Sequence, residues 1–172
     1  MGQSSDPVRR AGRIMWILVW ALGLLMLTWY FSHLLDRQHN PNQQVQILSA
    51  NSMVLEQNRY GHYVASGAVN NQPVVFLLDT GATQMAVPRA VAARLELPVG
   101  APLTLGTAAG QVTGYRTHIK SLSLGPFTLY DLSAVIMPSQ SEEILLGMNA
   151  LRRFELIQRG SQMTITYSGP EQ

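Results

Sequence analysis

The sequence predicts an all-β domain with one or two short helices, set behind a single N-terminal membrane-spanning helix. Three observations carry that reading. An 18-residue stretch near the N-terminus, residues 14–31 (IMWILVWALGLLMLTWYF), holds no charge. Beyond residue 46 the chain breaks into short β-branched, aromatic or apolar runs separated by Asn, Gly and Pro. Helical punctuation there is confined to two short stretches, near residues 87–95 and 149–154.

Composition narrows the chemistry. The 172 residues are 47% hydrophobic and 13% charged, with no Cys. Zero cysteines exclude a disulfide scaffold, a thiol nucleophile and cysteine-ligated metal or iron–sulfur sites. The net charge of +2 is placed unevenly. Residues 1–13 hold Arg9, Arg10 and Arg13 against Asp6, whereas residues 38–172 balance eight basic with eight acidic side chains. That balance gives no nucleic-acid footprint, which needs a basic patch on the binding domain.

The charge-free run is the first element. At about 1.5 Å per residue its 18 residues cover roughly 27 Å, close to the hydrocarbon thickness of a bilayer. Trp16, Trp29 and Tyr30 lie near its two ends, where interfacial aromatics belong. A buried core helix rarely runs this long without a charge. A cleaved signal peptide has a shorter apolar region and ends at a small-x-small site, and Ser32-His33-Leu34-Leu35-Asp36-Arg37 offers none. The reading is an uncleaved anchor over residues 14–35. Three arginines precede it and only Arg37 follows closely, so residues 1–13 are expected in the cytoplasm. The rest is then extracytoplasmic, facing the periplasm from the inner membrane in a Gram-negative source. Residues 36–46, with the polar HNPNQQVQ, read as a tether, and residues 47–172 as the folded domain.

Within that domain, residues 63–69 and 74–78 are strand-like runs around the turn Asn70-Asn71-Gln72-Pro73. Val74-Val75-Phe76-Leu77-Leu78 is continuously apolar, as expected for a strand buried on both faces. A short helix follows, with Val87, Val91 and Leu95 at four-residue spacing, Pro88 in its first turn and Pro98 closing it. Glycines 106, 110 and 114 suit a hairpin between residues 103 and 115. Two more strands meet at Gly125-Pro126, the second running into Ala134-Val135-Ile136-Met137. A further buried strand, Ile144-Leu145-Leu146, stops at Gly147, and Asn149 is a candidate cap for a helix carrying Leu151 and Phe154. The last two strands pair across Arg159-Gly160-Ser161, with Met163, Ile165 and Tyr167 facing inward.

One motif carries chemistry. Asp79-Thr80-Gly81-Ala82-Thr83 directly follows the apolar run. A carboxylate at the end of a buried strand is neutralised, paired or functional, because burial opposes its charge. The tripeptide alone is also ordinary turn chemistry. The context is what distinguishes it: Leu145-Leu146-Gly147 places a second apolar-apolar-Gly segment 66 positions beyond Gly81.

With these elements the sequence resembles the retropepsin-like aspartic proteases, and within them the bacterial membrane-anchored branch. The matching parts are residues 76–83, a glycine-bearing hairpin in the flap position with its tip at Thr107, Ala108, Ala109 and Gly110, and residues 144–151 with Leu145, Leu146 and Gly147. The resemblance spans residues 54–167 and implies one lobe per chain. It makes Asp79 the catalytic acid, and Thr80, Gly81, Ala82 and Thr83 its loop. A single Asp-Thr-Gly per chain requires a homodimer in which two Asp79 carboxylates activate one water against a peptide substrate. No cofactor is implied. Met85, Val87 and Leu146 are pocket walls or plain core. Other chemistry finds little support: His33, His39, His62 and His118 have no metal-ligand spacing, and Glu142-Glu143 reads as a solvated turn. The competing function is a non-catalytic dimeric binding or scaffold module on the same fold, which would have no need of a buried acid.

Overall fold

A long apolar run without proline or charge has no internal reason to break, and it forms one continuous helix, α1 (Pro7–His39). The computed structural model describes residues 7–107 and 110–167. Residues 1–6 of the expected cytoplasmic segment, and Ala108 and Ala109 of the expected flap tip, lie outside the described residues. The chain divides into two units between Gln38 and His39. Residues 11–39 form a helix long and apolar enough to cross a membrane, which fits a membrane span or a signal sequence. Its large apolar side chains from Ile14 to Leu35 are exposed, among them Trp16 and Leu25.

The second unit is almost entirely strand: β1 (Gln46–Ser49), β2 (Ser52–Glu56), β3 (Tyr63–Val69), β4 (Gln72–Leu78), β5 (Met85–Pro88), β6 (Pro102–Thr107), β7 (Gly110–Leu124), β8 (Phe127–Met137), β9 (Glu143–Leu146), β10 (Phe154–Arg159) and β11 (Gln162–Tyr167). Two short helices interrupt them, α2 (Arg89–Arg94) and α3 (Met148–Leu151). One sheet runs β3-β4-β9-β5-β8-β7-β6, and β3 also pairs with β7 through Ala68–Ser123 and Val69–Leu122. Six strands thereby close into a ring, and closure removes the open edges a flat sheet would expose. β6 hangs from the first half of the 15-residue β7 as a hairpin arm. A second sheet, β1-β2-β11-β10, contributes Met53, Leu55 and Ile165 to the same core as Phe76, Ile119 and Ile144.

Local chemistry explains the turns. Asn70 and Asn71 both take positive φ, 50° and 66°, the conformation a two-residue hairpin loop needs and Asn tolerates. The hairpin at Gly125-Pro126 and the one at Gly160-Ser161 fall where the sequence puts them.

Several expectations are corrected. β4 is not buried on both faces: Val74, Phe76 and Leu78 are buried, while Val75 and Leu77 are half-buried. Its two edges are taken by β3 and β9, but its second face is only partly covered, with Val75 bordering a shallow groove beside Ala90 and Arg94. Val87 belongs to β5, not to a helix. The helix starts only after Pro88 and ends at Leu95, ahead of Glu96 at φ +52° rather than at Pro98. Asn149 caps nothing; Gly147 stands at the start of α3.

Residues 39–46 are not a free tether either. They belong to the second unit, and Asn40 and Asn42 are buried in it. The Asn42 amide donates to the carbonyls of Glu56 (2.9 Å) and Val64 (2.7 Å) and accepts from Glu56 N–H (2.7 Å). One side chain thus satisfies three main-chain groups where β2 and β3 diverge, as buried polar groups require. His39 meets the Glu143 carboxylate at 2.5 Å, so Glu143 opens β9 rather than lying in a solvated turn.

Candidate active site

The site begins with register. β4 and β9 run parallel, with Leu77 beside Leu145 and Leu78 beside Leu146. Asp79 N–H donates to Leu146 O at 3.1 Å, carrying that pairing one residue past the strand end. The chain then turns. Gly81 N–H donates to Asp79 Oδ1 at 2.8 Å, and Ala82 N–H reaches Asp79 O at 3.3 Å. Asp79 is half-buried and Thr80 exposed, so the acid sits at the mouth of the fold rather than within it.

Helix α3 holds this loop from behind. The first N–H groups of a helix have no partner inside it. Here Met148 N–H donates to Ala82 O (2.8 Å) and Asn149 N–H to Thr83 O (3.1 Å). The Asn149 side chain extends the clamp, accepting from Met85 N–H (2.9 Å) and donating to Ser133 O (2.7 Å) on β8. Three residues of the segment, Ala82, Thr83 and Met85, are thus fixed by two residues of the helix, Met148 and Asn149. Gly147 makes the approach possible, since a Cβ there would lie 2.5 Å from Gln84 O and 2.9 Å from Ala82 O.

In front of the loop lies a cleft of about 800 Å³, lined by Asp79, residues 81–86, residues 104–107 of the β6 arm, Val135, Met137 and Leu145. Among the described residues, Asp79 is its only charged side chain. The Thr107 hydroxyl donates to Gly110 O at 2.8 Å where the β6–β7 hairpin narrows. A single carboxylate facing an otherwise uncharged cleft, overhung by a hairpin, suits proton transfer to or from a neutral bound group.

Of the residues singled out from the sequence, Asp79, Gly81, Ala82, Thr83, Thr107 and Leu145 come together at the cleft. Thr80 and Gly110 are exposed beside it, and Leu146 and Gly147 are buried behind it. Met85 is fully buried yet borders the cleft, whereas Val87 is core. Sequence reasoning missed Thr104, Leu105 and Gly106, which lie on the arm ahead of its tip, and Val135 and Met137. The latter two reach the cleft because β8 runs parallel to β5, with Val135 beside Ala86 and Met137 beside Pro88. Nothing local in the run 134–137 signals that register. The clamp by Asn149 was also missed, although an Asn two residues after a buried glycine is a visible cue.

A family model described as gag-polyprotein putative aspartyl protease matches residues 65–153, a span that includes Asp79, the β6–β7 hairpin and Gly147. An uncharacterized protein in the cobV 5′ region of a Sinorhizobium species is 26% identical over 110 residues, covering 62% of this chain and 47% of that protein. The chain thus spans about half the length of the curated relative it matches. Among solved structures, a retropepsin-like aspartic protease from Rickettsia conorii shares 22% identity at a TM-score of 0.58, over 67% of this chain and 91% of that one. EIAV protease complexed with the inhibitor HBY-793 shares 20% identity at a TM-score of 0.45, over 53% of this chain and 86% of that one. The Rickettsia likeness carries the fold.

Proposed function

The chain belongs to the gag-polyprotein putative aspartyl protease family, and on that premise we propose that it is a membrane-anchored, homodimeric aspartic endopeptidase with Asp79 as its catalytic residue. The observation that carries the reading is the placement of Asp79: half-buried, held by Gly81 N–H and, among the described residues, the only charge in a cleft beneath a hairpin arm.

One carboxylate per chain is half of an aspartic dyad, so the second comes from another copy across a two-fold axis. Two like charges in contact cannot both ionise, and the pair keeps one proton. The ionised Asp79 takes a proton from a water held between the two, and the oxygen attacks the scissile carbonyl. The protonated Asp79 donates to the carbonyl oxygen, giving a neutral gem-diol. The carboxyl that took the water's proton then gives it to the amide nitrogen, while the other, now ionised, takes a proton from a diol hydroxyl. The C–N bond breaks to a carboxylic acid and an amine, and one proton stays on the pair. Thr80, exposed in the single chain, lies on the surface that a second copy would cover and is proposed to lock the two loops together. The β6–β7 arm closes over an extended peptide, and the uncharged lining excludes water around the dyad.

Activity is expected to depend on association. Detergent-solubilised protein should cleave a denatured protein mixture with a specific activity that falls on dilution, as dimer gives way to monomer. Constant specific activity in a preparation that sediments as monomer would refute the shared dyad.

Residues 14–35 are proposed to anchor the domain, with residues 1–13 in the cytoplasm and the protease domain outside it. The arginine bias across the apolar run supports that orientation. A reporter active only in the cytoplasm, fused after Gln172, should stay silent. A strong signal would reverse the topology.

A further inference from the structure

β2 and β3 are joined by a turn that one side chain organises. Asn58 is buried, and its Oδ1 accepts from Tyr60 N–H (2.9 Å) and His62 N–H (3.0 Å). Main-chain bonds from Asn58 N–H to His62 O (2.8 Å) and from Gly61 N–H to Asn58 O (2.9 Å) close the turn. Gly61 takes φ +80°, a conformation that favours glycine. Around this framework Arg59, Tyr60 and His62 are exposed. Tyr60 is 58% exposed, and the Arg59 guanidinium lies over its ring, 4.6 Å from the centroid. The Asn58 Nδ2 in turn donates to His39 O at 3.1 Å. His39 is the last residue of α1 and belongs to the same unit as the turn.

We infer that this turn, residues 58–62, docks through Arg59 and Tyr60 on the phospholipid headgroups of the membrane that α1 crosses. This rests on the anchor reading above and adds a second contact with lipid, one that orients the protease domain on the bilayer.

The depth of the turn follows from the helix. From Leu35, the end of the anchor, to His39 is four helical steps. At about 1.5 Å each they climb roughly 6 Å. The headgroup layer on either side of the hydrocarbon is about 5–7 Å thick, so His39 reaches its outer part. Tilting the helix only lowers that residue toward the hydrocarbon. The hydrogen bond from Asn58 hangs the turn on His39 at this level. The two exposed side chains suit it. A tyrosine buries its ring at the membrane boundary and keeps its hydroxyl wet. A guanidinium carries a fork of N–H donors that matches phosphate oxygens bidentately. Residues 58–62 hold no acid that would repel anionic lipid, and the Glu143 carboxylate nearby is met by His39.

The full chain, reconstituted into phosphatidylcholine–phosphatidylglycerol vesicles, provides the test. With no native cysteine, one introduced thiol carries one fluorophore. His62→Cys places it on the turn and leaves Arg59 and Tyr60 unchanged. Tyr130→Cys is the control. Tyr130 is 63% exposed and pairs with Ser121, whose carbonyl accepts from Asn70 N–H just beyond the far end of β3. The seven residues of β3 set that end about 20 Å from the turn. A nitroxide on the lipid headgroup should quench the label at residue 62 well beyond that at residue 130. Adding Arg59→Glu and Tyr60→Ser should remove most of that excess. Both side chains are exposed, so the circular dichroism of the domain should not change. Equal quenching at the two positions, or an excess that survives the double substitution, overturns the docking. The anchor is read separately, because Trp16, Trp20 and Trp29 all lie in α1 and should be quenched by lipids brominated in their acyl chains. Quenched tryptophans without an excess at residue 62 overturn the contact of the turn and leave the anchor standing. Unquenched tryptophans overturn both.

Discussion

Asp79→Asn is expected to remove peptide-bond cleavage while leaving the fold and the dimer in place. The substitution keeps the shape and keeps an oxygen to accept from Gly81 N–H, now 2.8 Å from Asp79 Oδ1. The main-chain bond from residue 79 to Leu146 O is untouched. What is lost is the group that exchanges a proton with water and substrate. In a homodimer both copies change, so neither a base nor an acid remains among the described residues of the cleft, of which Asp79 is the only charged one. General acid–base catalysis contributes typically about 10²–10⁴-fold, so residual kcat/KM should be below roughly a hundredth of wild type. Far-UV circular dichroism and sedimentation on the same preparation separate loss of chemistry from loss of structure. A folded, dimeric Asp79→Asn protein with a tenth or more of wild-type activity would remove Asp79 from the mechanism. It would also return the chain to the alternative of a binding module that only shares the fold.

How far the sequence reached depends on how local each signal was. The β3–β4, β7–β8 and β10–β11 hairpins were legible because their strands and turns are contiguous: Asn70-Asn71, Gly125-Pro126 and Gly160-Ser161 each sit between runs that pair directly. β5 was not legible. Val87, Val91 and Leu95 repeat at helical spacing, but that spacing crosses a strand–helix junction, and β5 is held by pairing with β8 nearly fifty positions away. Composition misled at residues 39–46, where a polar, proline-bearing stretch looked like solvated chain. Its asparagines instead act as main-chain substitutes, with Asn42 bonding across the gap between β2 and β3. The site divides the same way. The Asp79 loop and the second glycine motif were readable because both end apolar strands. The contribution of Val135 and Met137 required the parallel register of β5 and β8, and that of Asn149 required knowing that α3 abuts the loop.

Gly147→Ala should have the largest effect on stability of any single methyl addition near the site. Gly147 has φ −88°, so its backbone does not demand glycine; the constraint is space. An added Cβ would stand 2.5 Å from Gln84 O, 2.6 Å from Gln84 C and 2.9 Å from Ala82 O. All three are main-chain atoms and none can swing aside like a side-chain tip. Either α3 lifts away, loosening Met148 N–H from Ala82 O and Asn149 N–H from Thr83 O, or the Asp79 loop moves forward into the cleft. Overpacking of this kind costs about 1–3 kcal/mol, and the rigid neighbours argue for the upper end. For a domain of this size that lowers Tm by about 10 °C. All three tryptophans lie in α1, so Trp fluorescence does not report on the domain and the β-sheet circular dichroism signal should be followed. Gly106→Ala is the control, since a Cβ there meets nothing within 4 Å, and its Tm should stay within a degree or two. Activity measured well below the transition carries the second half of the argument. A displacement of about 1 Å at a catalytic group can cost about 10²-fold, so folded Gly147→Ala protein should lose kcat far more than its stability loss alone explains. A variant with wild-type Tm would show that α3 and the loop give way freely. One with lowered Tm but full kcat would show that the clamp stabilises the fold without positioning Asp79.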